Sequence, residues 1–492
     1  MKLTAEQDAI AHAHGHRVRV TAYAGTGKTS SLEAWARAHP RVKTYYVAFN
    51  KSVQVEAAGR FPRNVTAKTG HAPAYAAVGR QYRDKLVSGV KPWELVQAGL
   101  FPGVPRAAQA AWADVVLRAL QQFWASTDTK IVPAHIPLAP VDWQGPFAWA
   151  DPLQAVRDAE RVWTRMQDPH DTAVGMMHDG YLKLYALSEP RWPYDAILFD
   201  EAQDANPVML QMVLRQTQAQ QIFVGDPYQA IYGWRGAVDA MTAIEADQDL
   251  RLTASFRFGP QIASVATRLL RWHDRTVIPV QGLAPVPGQV YRGLGAAPLT
   301  IIGRSNAGLF SQAVALWQAH PTIQFDWVGG IDGYRLELLE DTARLFQQEA
   351  VRSPFLRLFP DFDALVDYAE AVEDVEWQGR TRLVDRWGKG LPAWITRIRA
   401  ASRDPQHATV RFSTIHKAKG LEWDHVGLLD DLPQLGDRPL ELSPEDQHLW
   451  YVAATRAHQR LGLPELAADH LIGDSPVASH ATHSKKRGAQ HG

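Results

Sequence analysis

Hydrophobic residues fall along this chain in short runs of about five, set between longer stretches with helical spacing, the rhythm of a parallel sheet covered on both faces. RVRVTAY, from Arg17, alternates as a strand and runs into a glycine-rich turn and a helix starting near Thr29. TYYVAFN (44–50), VTAK near Val65, DAILFD (195–200) and QIFVGD (221–226) repeat the strand signal. Between His71 and Pro193 the rhythm gives way to Trp-, Ala- and Leu-rich helical faces, broken near Pro102, Pro133 and Pro152. LTIIGRS (299–305), VRFSTIH (410–416), HVGLLD (425–430) and RLGL (460–463) predict a second α/β unit. It is interrupted from about Asn306 to Pro405 by a mostly helical segment rich in Leu, Arg and Glu. The expected fold is α/β, with two parallel-sheet cores each split by a mostly helical insertion. Residues 1–75 and 193–255 form the first core around an insertion at 76–192. Residues 256–305 and 406–466 form the second around 306–405, and 467–492 read as a frayed polar tail.

Composition narrows the class. A chain of 492 residues holds about three or four compact units. With 52 basic and 52 acidic side chains the net charge is zero, so any nucleic acid must be held by a local basic groove and stacking rather than a whole-molecule field. The absence of cysteine excludes disulfides, thiolate zinc sites and Fe–S clusters and suits a reducing compartment. The first residues lack the apolar run of a signal peptide and no apolar stretch is long enough for a bilayer. The expectation is a cytoplasmic protein with no membrane partner. Seventeen tryptophans should be mostly core.

The strongest local chemistry is AYAGTGKT (22–29). Gly25 and Gly27 let the backbone curl so that successive N–H groups face phosphate oxygens, and the following helix adds its positive end. Ala24, Gly25, Thr26, Gly27, Lys28 and Thr29 make the cradle. Lys28 reaches the β- and γ-phosphates of ATP and Thr29 offers its hydroxyl to Mg²⁺. LFDEAQD (198–204) then places two acids at a strand end. Asp200 is the expected metal partner, Glu201 the base for the attacking water, and Asp204 a residue that ties the loop down.

The ordered set LTAEQ (3–7), AYAGTGKT, LFDEAQD, VGDPYQAIYGWRGA (224–237), SFR (255–257), HKAKGLEW (416–423) and YVAATRA (451–457) resembles superfamily 1 DNA helicases of the UvrD/Rep/PcrA kind. AFNKS (48–52), KTGHAPAY (68–75), DEAQD and GDPYQAIYGWRGA look closest to the F-box DNA helicase subgroup, with no F-box-like segment expected ahead of the motor. The resemblance implies two RecA-like cores and roles for matching positions. Gln7 would read the adenine edge, Phe256 would stack on the base and Glu422 would contact the sugar. Gln229 would sense the γ-phosphate, Arg257 and Arg456 would act from the second core as arginine fingers, and His416 would relay the state of the site to bound strand. Three features depart from the UvrD branch: Ser30 stands where an arginine usually packs on adenine, AFNKS is one residue short, and the second insertion is small.

Single-stranded DNA and its junctions with duplex are the implied partner. Aromatic platforms with phosphate contacts beside them grip such strands. The candidates are Phe49, Tyr232 and Trp234, with Lys51, Thr69, His71 and Arg235 alongside. Phe49 and Trp234 have core packing as their alternative, and Arg235 has an internal ion pair. The activity implied is ATP-dependent 3′–5′ translocation on DNA with duplex unwinding. Its rivals are a regulatory ATPase that clears proteins from DNA or serves a nuclease or recombination partner in repair or phage defence, and a small-molecule P-loop kinase. His12, His14 and His16 lack a complete metal-ligand set.

Overall fold

The structure, a computed structural model, describes residues 2–48, 51–138, 147–231, 240–296, 299–371, 374–402, 406–433 and 442–472. Its first sheet contains β1 (Arg17–Ala22), β2 (Thr44–Ala48), β3 (Val65–Thr69), β4 (Ala196–Phe199), β5 (Gln220–Gly225) and β6 (Gln248–Leu252). All pair in parallel, in the order β3-β2-β4-β5-β1-β6. Every residue of β2 and β4 is buried, as expected of central strands covered on both faces. Because the strands run the same way, the turns after all of them emerge along one edge, where ligands of such sheets gather.

The second sheet contains β7 (Gln289–Arg292), β8 (Leu299–Gly303), β9 (Phe325–Trp327), β10 (Val410–Thr414), β11 (Trp423–Leu428) and β12 (Ala457–Leu463). It too is parallel, in the order β7-β12-β11-β8-β10-β9. Helices flank both sheets, which bears out the expected fold class.

Several details differ from the sequence reading. β6, β7 and β9 carried no strand signal: β6 and β7 are polar edge strands with few buried positions, and β9 is three residues long. β9 pairs with β10, and the helix Asn306–Ala319 packs on β8. The first part of the segment expected to be an insertion from 306 is therefore sheet and its covering helix, and the purely helical part starts after β9. The helix Glu465–Leu471 buries Ala467, Ala468 and Leu471, so an apolar face continues into the stretch assigned to the tail from 467.

The described residues between β3 and β4 are mostly helical, with helices that include His71–Ala77, Gln109–Ala125, Pro152–Gln167 and His178–Leu187. Trp112, Phe123, Trp124 and Val162 from these helices join one hydrophobic cluster with Tyr45, Val47, Phe199 and Phe223 of the sheet. Trp35, Trp112 and Trp124 are among the largest fully buried side chains, as the tryptophan count suggested.

Candidate nucleotide site between the two cores

β1 ends at Ala22 and the helix Lys28–Ala38 begins five residues beyond Tyr23. The turn between them needs its two glycines: φ is +71° at Gly25 and +80° at Gly27, the left-handed region that side chains with a Cβ resist. Space also demands them. A Cβ on Gly25 would lie 2.5 Å from the Arg257 Cβ, and one on Gly27 would lie 2.9 Å from Gln7 Nε2.

The acidic end of β4 packs against this turn. Thr29 donates its hydroxyl to Asp200 Oδ2 at 2.7 Å, and Tyr46 donates to the same oxygen at 2.8 Å. Burial, then repulsion from Glu201, raises the pKa of Asp200. Glu201 adopts φ +51°, a costly conformation for a residue with a side chain and one that recurs at functional sites. Its carboxylate lies 3.4 Å from Lys28 Nζ and accepts from Gln203 Nε2 at 2.8 Å. Burial opposes the charge on Glu201, yet Lys28, Gln203 and Lys419 outweigh it and hold the pKa low. Burial likewise works against the Lys28 ammonium, and Glu201, Asp226 and Asp200 raise its pKa regardless.

The turn after β5 completes the first-core side. Gln203 Oε1 accepts from the Asp226 N–H at 3.0 Å, and Gln229 Nε2 donates to Asp226 Oδ2 at 2.6 Å. Burial pushes both Asp226 and Asp204 up to about 6. A carboxylate whose folded pKa lies above its unfolded value favours the fold below the unfolded pKa, and that contribution fades as pH rises through the folded pKa. The nucleotide-free protein should therefore gain stability between about pH 8 and about pH 5 from these groups, on the order of 1–3 kcal/mol each. Thermal melts of the wild type and of Asp226→Asn across that range check this: the variant should show the flatter profile.

The second core meets this edge with the starts of β11 and β12. Arg456, immediately before β12, is 1% exposed and donates Nη2 to Gln229 Oε1 at 3.2 Å. Its other bonds go to the Val452 and Leu421 carbonyls and the Thr455 hydroxyl. Among the described residues it makes no ion pair with a carboxylate. Burial, followed by repulsion from Arg257, lowers its pKa to about 9 against the pull of Glu201 and Glu422, so it remains a cation at neutral pH whose hydrogen-bond acceptors are all neutral oxygens. Arg257 lies against the glycine turn, donates Nη1 to the Thr455 carbonyl at 3.0 Å and pairs with Glu422 at 2.5 Å. Lys419 crosses the gap to Asp204 Oδ1 at 2.6 Å and to the Gln229 carbonyl at 2.5 Å.

The structure thus gathers Lys28, Thr29, Asp200, Glu201, Gln229, Arg257 and Arg456 around one gap. Gln7 is buried: its Nε2 reaches the Thr26 carbonyl at 3.5 Å and its Oε1 accepts from the Thr4 N–H at 3.2 Å, closing a helix-capping box. Phe256 is 44% exposed beside Gly27, an open aromatic face. Glu422, expected at the sugar, is held by Arg257 and by His458 Nε2 at 3.2 Å. It also lines a cavity of about 530 Å³ with Trp327, Gly329, Arg411 and Trp423.

Of the expected DNA contacts, Thr69 is the last residue of β3, and Lys51 and His71 lie just after β2 and β3, which pair side by side. Lys51 donates to Gln54 at 3.0 Å, and His71 Nε2 lies 2.9 Å from Asp179 Oδ1. His416 stands on the second core in the helix Ile415–Ala418. Phe49, Tyr232, Trp234 and Arg235 fall outside the described residues.

Sequence reading missed Tyr46, Gln203, Asp226 and Lys419. The last three lie inside segments already singled out, where a polar side chain near an expected site residue was the available signal. Arg60 was missed as well: it donates to Ser30 Oγ at 3.0 Å and pairs with Glu33 at 3.2 Å, bringing a guanidinium to the position where the sequence has serine.

Among the described residues no group of three His, Cys, Asp or Glu forms a preformed metal cage. The Thr29 hydroxyl and Asp200 carboxylate do suit a hard cation that arrives with phosphate oxygens. Fold and site together have the layout of a two-core P-loop protein, with cationic side chains of one core set against the glycine-rich turn of the other. Comparison with known proteins agrees. Residues 180–249 match the UvrD/REP helicase N-terminal domain and residues 395–464 the UvrD-like helicase C-terminal domain. F-box DNA helicase 1 of Gallus gallus is 32% identical over 518 residues, covering 96% of this chain and 50% of the relative. F-box DNA helicase protein 1 of Schizosaccharomyces pombe is 29% identical over 511 residues, covering 93% and 57%. ATP-dependent DNA helicase UvrD2 of Mycobacterium tuberculosis is 25% identical over 344 residues, covering 55% and 47%. The chain spans about half the length of these relatives. These matched stretches and relatives make the chain similar to the UvrD/PcrA-like helicases of superfamily 1.

Proposed function

We propose that this chain is an ATP- and Mg²⁺-dependent translocase on single-stranded DNA that unwinds duplex, moving 3′ to 5′. The observation that carries the reading is Arg456: a buried cation from the second core, bonded to neutral oxygens and set against Gln229 beside the phosphate loop. Such a charge is costly unless an anion joins it, and a triphosphate held by Lys28 supplies one. Hydrolysis then depends on the two cores being correctly placed on one ligand, which links chemistry to their relative motion.

Gly25 to Thr29 would receive the phosphates, Phe256 and Gln7 the base, and Thr29 with Asp200 the Mg²⁺. When bound, that ion screens phosphate charge. Glu201, kept ionised by Lys28, orients and deprotonates the attacking water. Arg257 exchanges Glu422 for the developing phosphoryl charge. Lys51, Thr69 and His71 line the strand's path on the first core. The names of the relatives and the polarity implied by the resemblance support DNA as the track. No helix among the described residues is long and apolar enough to cross a membrane.

Glu201→Gln should keep ATP and oligonucleotide binding while turnover falls about 10²–10⁴-fold; filter binding and a coupled ATPase assay check it. The whole reading is tested by ATP turnover with and without oligonucleotide, followed by unwinding of substrates with 3′ or 5′ tails. Turnover indifferent to DNA would overturn it. DNA-stimulated turnover without strand separation would favour a protein-clearing or nuclease-assisting ATPase.

A further inference from the structure

The phosphate loop is fastened to the opposite core. Tyr23 and Ala24 belong to the same hydrophobic cluster as Leu449, Tyr451, Val452 and Ile415 of the second core, whereas Val18, Val20 and Ala22 immediately before them belong to the first. Ala24 N–H donates to the Tyr451 hydroxyl at 3.0 Å, with both residues 1% exposed. A loop of this kind presents its N–H groups to phosphate; here one of them is taken by a side chain of the other core.

Tyr451 lies near the end of the helix Pro444–Ala454, and residues at that end meet Ala230, Gln229 and Arg257. His448 Nδ1 meets the Ala230 carbonyl at 3.0 Å, the Thr455 carbonyl accepts from Arg257 at 3.0 Å, and Arg456 reaches Gln229. The rings of Tyr23, Tyr228, His273, His448 and Tyr451 form one chain of contacts, with neighbouring centroids 5.2–6.2 Å apart. The arms from this contact to the reacting groups are short. Lys28 is four residues beyond Ala24 and Arg456 is five beyond Tyr451, so the bond joins the two short segments that carry these cations.

We propose that Tyr451 is a positioning residue, whose hydroxyl latches the phosphate loop to the second core and thereby registers Arg456 against Lys28. The proposal rests on the translocase reading above. An unlatched loop still binds nucleotide through Gly25 to Thr29, but the finger meets the phosphoryl group out of register, so the loss belongs to kcat.

Tyr451→Phe removes the hydroxyl and keeps the ring. DNA-stimulated kcat should fall about tenfold with the KM for ATP changed less than about threefold, because the lost contact acts in the transition state. The melting temperature should stay within about 3 °C, the loss of one buried hydrogen bond. In an Arg456→Lys background the same change should lower kcat less than about twofold, the non-additivity of residues that act as a unit. Should the variant prove insoluble, 3-fluorotyrosine at 451, a weaker acceptor, should give a smaller loss in the same direction. Wild-type kcat in Tyr451→Phe, an undiminished loss in the Arg456→Lys background, or a deficit that follows melting temperature and vanishes on cooling would each overturn the latch. Failure of the underlying reading looks different: the wild type itself would show no stimulation by oligonucleotide.

Discussion

Lys28→Ala should lower ATP turnover by about 10³-fold or more, since it removes the ammonium proposed to meet the phosphates, and a fixed charge there is worth several kcal/mol to the transition state. A second signature should accompany it. Lys28 counters the charge on Glu201 and Asp200, and without it those acids face an incoming triphosphate unscreened. Nucleotide should therefore no longer raise the melting temperature, whereas in the wild type a ligand at about 100 times its Kd adds about 2.7 kcal/mol of stability. Differential scanning fluorimetry beside a steady-state ATPase assay reads both. Retained turnover would remove Lys28 from the chemistry; retained thermal stabilisation with lost turnover would confine it to the transition state.

Arg456→Ala should separate binding from rate in the opposite sense. Its guanidinium comes from the second core, so nucleotide affinity, set by the glycine turn, should change less than about tenfold, while turnover falls about 10³–10⁵-fold, the range of arginine fingers. Equilibrium binding of a fluorescent ATP analogue and single-turnover hydrolysis make the comparison. Arg456→Lys should recover little, because an ammonium cannot make the forked contacts with Val452, Leu421, Thr455 and Gln229. Loss of affinity equal to loss of rate would make Arg456 a general phosphate anchor.

What could be read from sequence divides along a physical line. The glycine turn and the acids after β4 announce themselves because their chemistry is local: positive φ at Gly25 and Gly27, a lysine and threonine at a helix start, and carboxylates at a strand end are requirements written within eight residues or fewer. The central strands were legible for the same reason, being continuous apolar runs. β6, with its QDLRL, and β7, with its QVYR, escaped because an edge strand buries few positions and its pattern resembles a loop. Tyr46 looked like one more core aromatic in TYYVA, and only the fold shows its hydroxyl on Asp200. Lys419 and Tyr451 could not be assigned from local pattern, since each acts on a residue more than 200 positions away. Two residues of the Arg257 neighbourhood, Glu422 and Thr455, likewise reach it only in three dimensions.

The helices between β3 and β4 interleave Trp112 and Phe123 with Tyr45 and Phe223 of the sheet, so they form no detachable module. Excising them would strip the covering from one sheet face and leave a wide greasy surface in water. Whatever seizes those helices from outside also grips the strands that carry Asp200 and Asp226, and a docking protein there would hold a lever on the engine itself.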